Sequence, residues 1–429
     1  MRRLRAQMRS FEPGIQLLMV NQFGINLGFY MLMPYLADHL AHGLGLAAWA
    51  VGLVLGVRNL SQQGMFWLGG TLADRIGYKP MILAGCALRT GAFVLLALAG
   101  TVPALVVASA ATGFAGALFN PAVRAYVAQG AGERRVEAFA VFNVFYQAGI
   151  LLGPLAGLAL LTLDFRVVCA ASAAVFGVLA IVQARALPAR RPAPDPERTS
   201  GWRGIATDWR TILRNRPFVL FSVAMAGSYL LAFQTYLALP LQARTLLDEH
   251  NGTAMGVVFA VSALVAVAGQ LRLTDWARDR LDPPKAIALG LAVMGAAFLP
   301  LLPGPHHRVH GLSAALGLGG LVACAALLAV GAALLYPFEM DTLVRLSGQR
   351  LVGTYYGAYS TVAGIAVAAG NLAVGGLFDL ADRAHVPWLP WTALSALGLA
   401  CAAALTGLRR TGHLRVAPGP APTRTPTVA

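Results

Sequence analysis

Apolar runs of about 20 residues recur along the chain from Ile15 to Leu408, separated by short polar breaks. Coiled as helices rising ~1.5 Å per residue, runs of this length cross ~30 Å of hydrocarbon. The pattern predicts twelve helices, near 13–36, 47–72, 80–100, 102–124, 138–162, 166–187, 217–241, 254–273, 285–303, 311–337, 353–378 and 387–408. The expected fold class is therefore an all-α integral membrane protein with 12 transmembrane helices. The first run follows a basic start, as in a signal peptide. It is of spanning length, carries Asn and Gln and lacks a small-residue cleavage site, so it reads as a retained helix.

Charge sharpens this topology. Only 12 % of residues are charged against 57 % hydrophobic, yet the net charge is +15. With twelve spans both termini share one side. Of the 33 Lys and Arg, only Arg166, Arg244, Arg308 and Arg383 fall on the opposite side, and Arg58, Arg89 and Arg272 lie within or at the ends of spans. The rest crowd the side of the termini, which the positive-inside rule places in the cytoplasm. The basic excess is thus a topology signal, and no nucleic-acid partner is expected. Lys79 and Lys285 are the only lysines and Ala is abundant, which points to a GC-rich bacterium and its inner membrane. Cys86, Cys169, Cys324 and Cys401 all sit in predicted spans without CxxC pairing, and read as small apolar packing residues.

The chain divides into two halves. Residues 188–216 are rich in Pro and Arg and read as a cytoplasmic linker between a six-helix bundle at 1–187 and another at 217–410; the Pro/Thr-rich stretch 411–429 reads as a disordered cytoplasmic tail. The halves also repeat. "LADRIGYKPMILAG" at Leu72–Gly85 finds a counterpart in "ARDRLDPPKAIALG" at Ala277–Gly290, which sets Asp74-Arg75 on Asp279-Arg280. Parallel six-helix repeats with a substrate site between them near the midplane are one known transporter architecture.

The stretch Gly70–Pro80, "GTLADRIGYKP", sets Asp74, Arg75 and Lys79 between two long apolar runs. Gly70 and Gly77 permit close backbone approach and a tight turn. Asp74, at a helix end near the membrane surface, is placed to meet the N-terminus of a helix in the other half, where the dipole and free N–H groups favour an anion. Arg75 and Lys79 can pair with acids or lipid phosphates. The stretch resembles the cytoplasmic loop between helices two and three of the major facilitator superfamily. Together with "GVRNLSQQGMFWLGGTLADRIGYKPMI", "LFNPAVRAYV", "DFRVVCA", "RPFV" and "GGLFDLADRAHVPWLPW", the chain is similar to that superfamily's MdtH-type multidrug-resistance branch. The resemblance implies two pseudo-symmetric six-helix bundles and a gating latch at Gly70, Asp74, Arg75, Gly77 and Lys79, with a second copy at Asp279 and Arg280. In the family, the latch holds the state closed to the cytoplasm.

A second motif concerns direction. Gly149, Gly153, Pro154 and Gly157 on the fifth predicted helix resemble the superfamily's antiporter pattern GxxxGPxxGG, associated with export, with Leu158 in place of the last Gly. Physically, glycines at this spacing offer a smooth face for helix packing, and Pro154 permits a bend. Polar side chains inside spans are costly and usually face a cavity. Asn21, Gln22, Asn26 and Tyr30 on helix one, Arg58 and Gln62 on helix two, Asn143, Tyr146 and Gln147 on helix five, Tyr229 and Gln234 on helix seven and Tyr359 on helix eleven are the expected substrate cavity. Asn120, Arg124, Tyr236, Tyr355, Tyr356 and Asn371 belong to the same polar set, with Phe114, Phe119, Trp67 and Phe233 as walls. Arg58, near the middle of its span, must find a carboxylate, carbonyls, water or an anionic substrate group. Arg89 in helix three is similar.

Departures from the family pattern bear on proton coupling. The related branch has an Asp where this chain has Asn21, which cannot titrate, and the arginine usual in the fourth helix is replaced by Ser109. The remaining membrane acids are Glu339, Asp341 and Asp164; Glu339, following Tyr336-Pro337, is the candidate proton carrier, or else an interfacial ion-pair residue. No enzyme motif and no nucleotide-binding loop occurs. His306, His307 and His310 read as solvated loop residues, and neither cofactor nor metal is expected. The expected function is secondary active export of amphipathic, drug-like small molecules by alternating access, with inward proton movement, by a monomer in the lipid bilayer. The alternative is a carrier or facilitator for an anionic metabolite bound through Arg58, without standard proton coupling.

Overall fold

Prolines, caps and one glycine set most helix boundaries. Pro13, Pro103, Pro217, Pro283 and Pro390 lie in first turns, where a missing N–H goes unmissed. Asp164 and Asn215 cap the helices that follow them, accepting from the N–H groups of Arg166 at 2.6 Å and Phe218 at 3.2 Å. Gly77, at φ +108°, ends one helix and starts the next with no intervening loop.

The computed structural model describes residues 2–190, 201–246, 252–303, 312–412 and 414. Its helices are α1 (Arg2–Arg9), α2 (Pro13–Asp38), α3 (Ala48–Ile76), α4 (Tyr78–Leu98), α5 (Val102–Ala131), α6 (Arg135–Leu161), α7 (Phe165–Ala186), α8 (Gly201–Arg214), α9 (Arg216–Phe233), α10 (Ala238–Leu246), α11 (Gly252–Arg280), α12 (Pro283–Ala296), α13 (Leu312–Leu346), α14 (Val352–Ala384) and α15 (Leu389–Arg410). Among the described residues, ten segments are long and apolar enough to cross a membrane. One of them, Val102–Leu161, holds both α5 and α6, and α3, at 29 residues, completes the twelve.

Helices α2–α7 form one six-helix bundle; α9 with α10, then α11–α15, form the other. Within the first, α5 packs on α3 and α4, α6 on α2, and α7 on α4; within the second, α12 packs on α13 and α15, and α14 on α9. The two bundles meet through α3 on α14, α6 on α11 and α13, and α5 on α14. Helices two and eleven, and five and eight, thus make matching contacts, as a parallel duplication requires. Side chains on the outer faces, such as Leu60 and Leu372, are exposed and apolar, as hydrocarbon demands.

Three features depart from the expected spans. Helix seven is not continuous: a 3₁₀ turn at Gln234–Tyr236 separates α9 from α10. The region expected as a linker contains α8, whose Ile212 is fully buried. Helices α11, α13 and α14 run past the expected ends at 273, 337 and 378, because charged residues that mark the edge of an apolar run do not stop a helix from continuing into water. Residues 191–200 of the expected linker, His306, His307, His310, Arg308 and most of the 411–429 tail lie outside the described residues.

The bundles approach closely where α3 crosses α14. A Cβ on Gly70 would collide with the Gly353 carbonyl, whereas one on Gly64 of the same helix would meet only a Leu60 methyl at 3.8 Å. Gly64→Ala should therefore hold or raise the thermal midpoint of the purified protein, since Ala is favoured over Gly in helices by about 1 kcal/mol. Gly70→Ala should lower it; equal midpoints for the two variants would show that the crossing is loose.

Candidate functional site

Asp74 closes the face on which α2 begins and α15 ends. It stands in the last turn of α3 and is 2 % exposed. Its carboxylate accepts from the N–H of Gly353 at 3.0 Å and from the N–H and hydroxyl of Thr354 at 2.7 Å each. Those N–H groups open α14 and have no partner within their own helix. An anion from one bundle thus satisfies the N-terminus of a helix in the other, where the helix dipole also favours it. Gly353 is part of the fit, because a Cβ there would stand 2.9 Å from the Asp74 oxygen. Arg75 pairs with Asp208 of α8 at 2.7 Å, and the Trp209 Nε1 donates to Thr71 at 3.2 Å. Lys79 donates to the Ala184 carbonyl at 2.9 Å, and Gly77 supplies the turn.

The repeated copy is arranged otherwise. Asp279 is largely exposed and nearest Arg278 of its own helix at 3.7 Å, and Arg280 lies over the Trp276 ring at 5.8 Å. Contacts to the N-terminal half come from residues just before Asp279: Arg278, the preceding residue, bonds Glu137 in the first turn of α6, and Asp275, one turn earlier, bonds Arg3 of α1. Charge polarity is inverted relative to the α3–α14 contact, with the acid now on the helix whose N-terminus is met. A buried pair adds to this layer. Arg135 Nε reaches Asp341 at 2.6 Å, and Arg345 takes the other Asp341 oxygen at 2.6 Å.

Above this layer a cavity of ≈ 230 Å³, measured as the space open to the centre of a water molecule, lies between the bundles. Tyr30 (α2), Arg124 (α5) and Asn143, Tyr146, Gln147 and Ile150 (α6) line one side. Ser228, Tyr229 and Phe233 (α9), Thr235 and Tyr236 in the 3₁₀ turn, Ser262 (α11), Met294 (α12) and Leu328, Tyr336 and Glu339 (α13) line the other. The break in helix seven turns Thr235 and Tyr236 into the space. Glu339 accepts from the Tyr359 hydroxyl, and Arg124 donates to Ser360 at 3.2 Å. Asn143 donates across the bundles to Gln270 at 2.6 Å.

Of the expected cavity residues, Tyr30, Asn143, Tyr146, Gln147 and Tyr229 line this space. Asn21, Gln22, Asn26, Arg58, Gln62, Gln234 and Tyr359 are not among its lining residues. Asn26 is buried and donates to the Tyr146 carbonyl at 3.2 Å; Gln234 bonds Leu230 and Asn371 within its bundle; Tyr359 sits behind Glu339. Arg58 bonds Asn59 and lies 5.3 Å from the Phe29 ring, on whose face Arg89 also rests at 5.0 Å. Arg89 is held further by the Phe119 and Phe176 rings and by the Thr112 carbonyl at 2.8 Å, a cage of π-faces and one acceptor in place of a carboxylate. The glycine motif packs α6 on α2: Cβ atoms at Gly149 and Gly153 would stand 2.7 Å from the Cβ atoms of Asn26 and Tyr30, and one at Gly157 would meet the Met31 carbonyl. Tyr35 donates to the Pro154 carbonyl at 2.7 Å, and Leu158, on the outer surface, needs no close approach.

Gln270, Ser262, Thr235, Asp208 and the Arg135–Asp341 pair escaped the sequence reading. Arg135 and Asp341 each stand among charged residues at span ends, and only the fold shows that they face one another. Gln270 had a legible signal, a lone amide in an otherwise apolar run.

Two six-helix bundles around a shared cavity, sealed on one face by paired charges, define a membrane carrier. Residues 18–371 match the Major Facilitator Superfamily, and the chain belongs to that family. It is a multi-pass membrane transporter, not an enzyme. It is 54 % identical over 406 residues, 95 % of each chain, to an uncharacterized MFS-type transporter of Mycobacterium tuberculosis. Similarity to the multidrug resistance protein MdtH of Shigella dysenteriae is 29 % over 386 residues, 90 % of this chain and 92 % of that one. The human organic anion transporter MFSD10 superposes with a TM-score of 0.69 at 17 % identity, covering 92 % of this chain and 99 % of that one. The peptide transporter POT superposes at 0.66 and 16 % identity, covering 96 % and 99 %.

Removing one partner of a buried ion pair typically costs about 3–5 kcal/mol, because the other charge is stranded. Arg135→Gln should lower the thermal midpoint, and Arg135→Gln with Asp341→Asn should recover part of the loss. A double variant no more stable than the single would mean that Arg345 alone satisfies Asp341.

Proposed function

We propose that this chain is an inner-membrane exporter of amphipathic small molecules, working as a monomer by alternating access and exchanging substrate for protons at Glu339. The observation that carries the reading is the position of Glu339. It is a buried carboxyl that lines the cavity between the bundles, faced by Arg124 from α5, Tyr229 from α9, Tyr359 from α14 and Tyr336 from its own helix. A proton and a cationic group on a substrate compete for one such carboxylate, so the carrier holds one or the other. The aromatic and aliphatic walls suit an apolar body. Similarity to MdtH proteins supports a multidrug role, and the positive-inside distribution supports a cytoplasmic location for the closed face. Arg58 packs against Phe29 rather than lining the cavity, so its position does not favour the anion-carrier alternative.

In proteoliposomes with a pH gradient, wild type should concentrate a lipophilic cation such as tetraphenylphosphonium against its own gradient. Glu339→Gln should still exchange labelled for unlabelled cation but lose the uphill movement. Uphill transport at the wild-type level in Glu339→Gln would remove Glu339 from coupling.

The Asp74 contact makes a separate prediction. An anion at a helix N-terminus contributes about 0.3–1 kcal/mol, and up to ~2 kcal/mol where partly buried. Asp74→Asn should therefore slow turnover up to about 30-fold, by weakening the closed face, while substrate affinity stays within a few-fold. An unchanged rate would exclude a gating role.

A further inference from the structure

Helix α1 cannot hold its shape alone. Four of its eight residues are arginine and none is acidic. So short a helix is unstable in water, and positive charge in its first turn opposes the helix dipole. Docking supplies the missing stability. Leu4 and Met8, one turn apart, pack on the core, and Arg134 lies over the Phe11 ring at 4.4 Å just past the helix end. Arg134 also donates to the Ser10 hydroxyl at 2.8 Å. These contacts fix α1 to the first bundle, while Arg3 near its other end bonds Asp275 of α11 in the second. Helix α8 stands in the same relation to the other half. It leads into α9 through Asn215, which donates to the Leu346 carbonyl and the Tyr355 hydroxyl at 2.9 Å each, and so belongs to the second bundle. From there Asp208 pairs with Arg75 of α3 at 2.7 Å, Trp209 donates to Thr71, and the Trp67 and Trp209 rings meet edge to face at 5.7 Å.

The separation in sequence that sets Asp279 on Asp74 also sets Asp208 on Arg3. Each of these two residues precedes the first span of its own bundle and binds the last turns of the second span of the other, α1 to α11 and α8 to α3. Only the signs are exchanged, cation to acid in one and acid to cation in the other. We propose that α1 and α8 are a matched pair of straps, duplicated with the bundles, that dock in the state closed on this face and release when it opens. Neither can stay docked as α3 parts from α14 and α6 from α11, because each is anchored on one bundle and bonded to the other. Single exposed ion pairs contribute little, so a strap biases the resting state rather than locking it. Through the shared face the two are linked: freeing one weakens the hold of the other, although they bond different helices. The inference needs only that this face alternates between closed and open, and is independent of substrate and of proton coupling.

Amide hydrogen–deuterium exchange of the full-length protein in lipid nanodiscs tests this, because a docked segment exchanges through its release. In wild type, α1 and α8 should exchange about ten-fold or more slowly than unstructured peptides of the same sequence. Arg3→Asp should raise the rate about three-fold or more in α1 and also in α8. Asp208→Asn should do the same in α8 and also in α1. Faster exchange confined to the strap that carries the substitution would overturn the proposal and leave two separately packed arms. An unprotected α1 in wild type would overturn it as well. The Arg3 side chain is 59 % exposed, so Arg3→Asp folds and decides even if Asp208→Asn does not. Failure of pH-driven cation uptake, with exchange rates as stated here, would remove the exporter reading and keep the straps.

Discussion

Asp74 and the first turn of α14 each solve a problem the other cannot solve alone. A carboxylate 2 % exposed would be untenable without donors, and the first N–H groups of a helix are untenable when buried without acceptors. Brought together they make three hydrogen bonds across the two bundles, and the glycines at Gly70 and Gly353 exist in the geometry that lets them meet. Other contacts on the closed face flank that crossing. The helix α8 buttresses it through Asp208 and Trp209, and the α6–α11 and α6–α13 pairs close the opposite side with salt bridges. Since the bonds replace rather than supplement hydration, the closed face is held firmly without being irreversible.

The same rule, that charge away from water must be matched, sorts the other ionisable residues. Arg89 has found π-faces and a carbonyl, Asp341 has found two arginines, and both hold helices together. Glu339 and Arg124 are different, since hydroxyls hold them beside open space. This contrast between satisfied and available charge distinguishes a packing residue from a candidate ligand group in a molecule with few charges to spare.

Much of the architecture was legible because hydrocarbon imposes length and composition on every span. The glycine-flanked Asp74 was legible too, as an anion at a helix end next to residues that tolerate close approach. What could not be read was rotation about helix axes. Asn21, Gln22, Asn26 and Gln234 are polar residues inside spans just as Tyr146 and Gln147 are, but they are buried away from the cavity, Asn26 on the Tyr146 carbonyl and Gln234 on Leu230 and Asn371. Tyr236 reaches the cavity because helix seven breaks at Gln234–Tyr236, and the signal lay downstream, in Pro240, which cannot donate to the Tyr236 carbonyl. The second copy of the latch misled in the same way. Sequence register aligns Asp279 with Asp74, but Asp279 is largely exposed and the contacts to the N-terminal half come from its neighbour Arg278 and from Asp275 one turn back.

Glu339 and Asp341 lie just beyond Pro337, on the same two turns of α13. Proline removes a backbone hydrogen bond and loosens the helix at that point, so this short end segment can pivot as a piece. One of its acids looks into the cavity and the other is clasped by Arg135 of the opposite bundle. A pivot of that segment that freed the second would reorient the first. Cargo and clasp therefore belong to one equilibrium: whatever bias a ligand imposes on the clasp, the clasp returns to the ligand as an equal change in its hold. The fidelity of such a carrier, the fraction of openings that happen with the proper passenger aboard, is then set by the stiffness of a few residues rather than by any signal passed across the molecule.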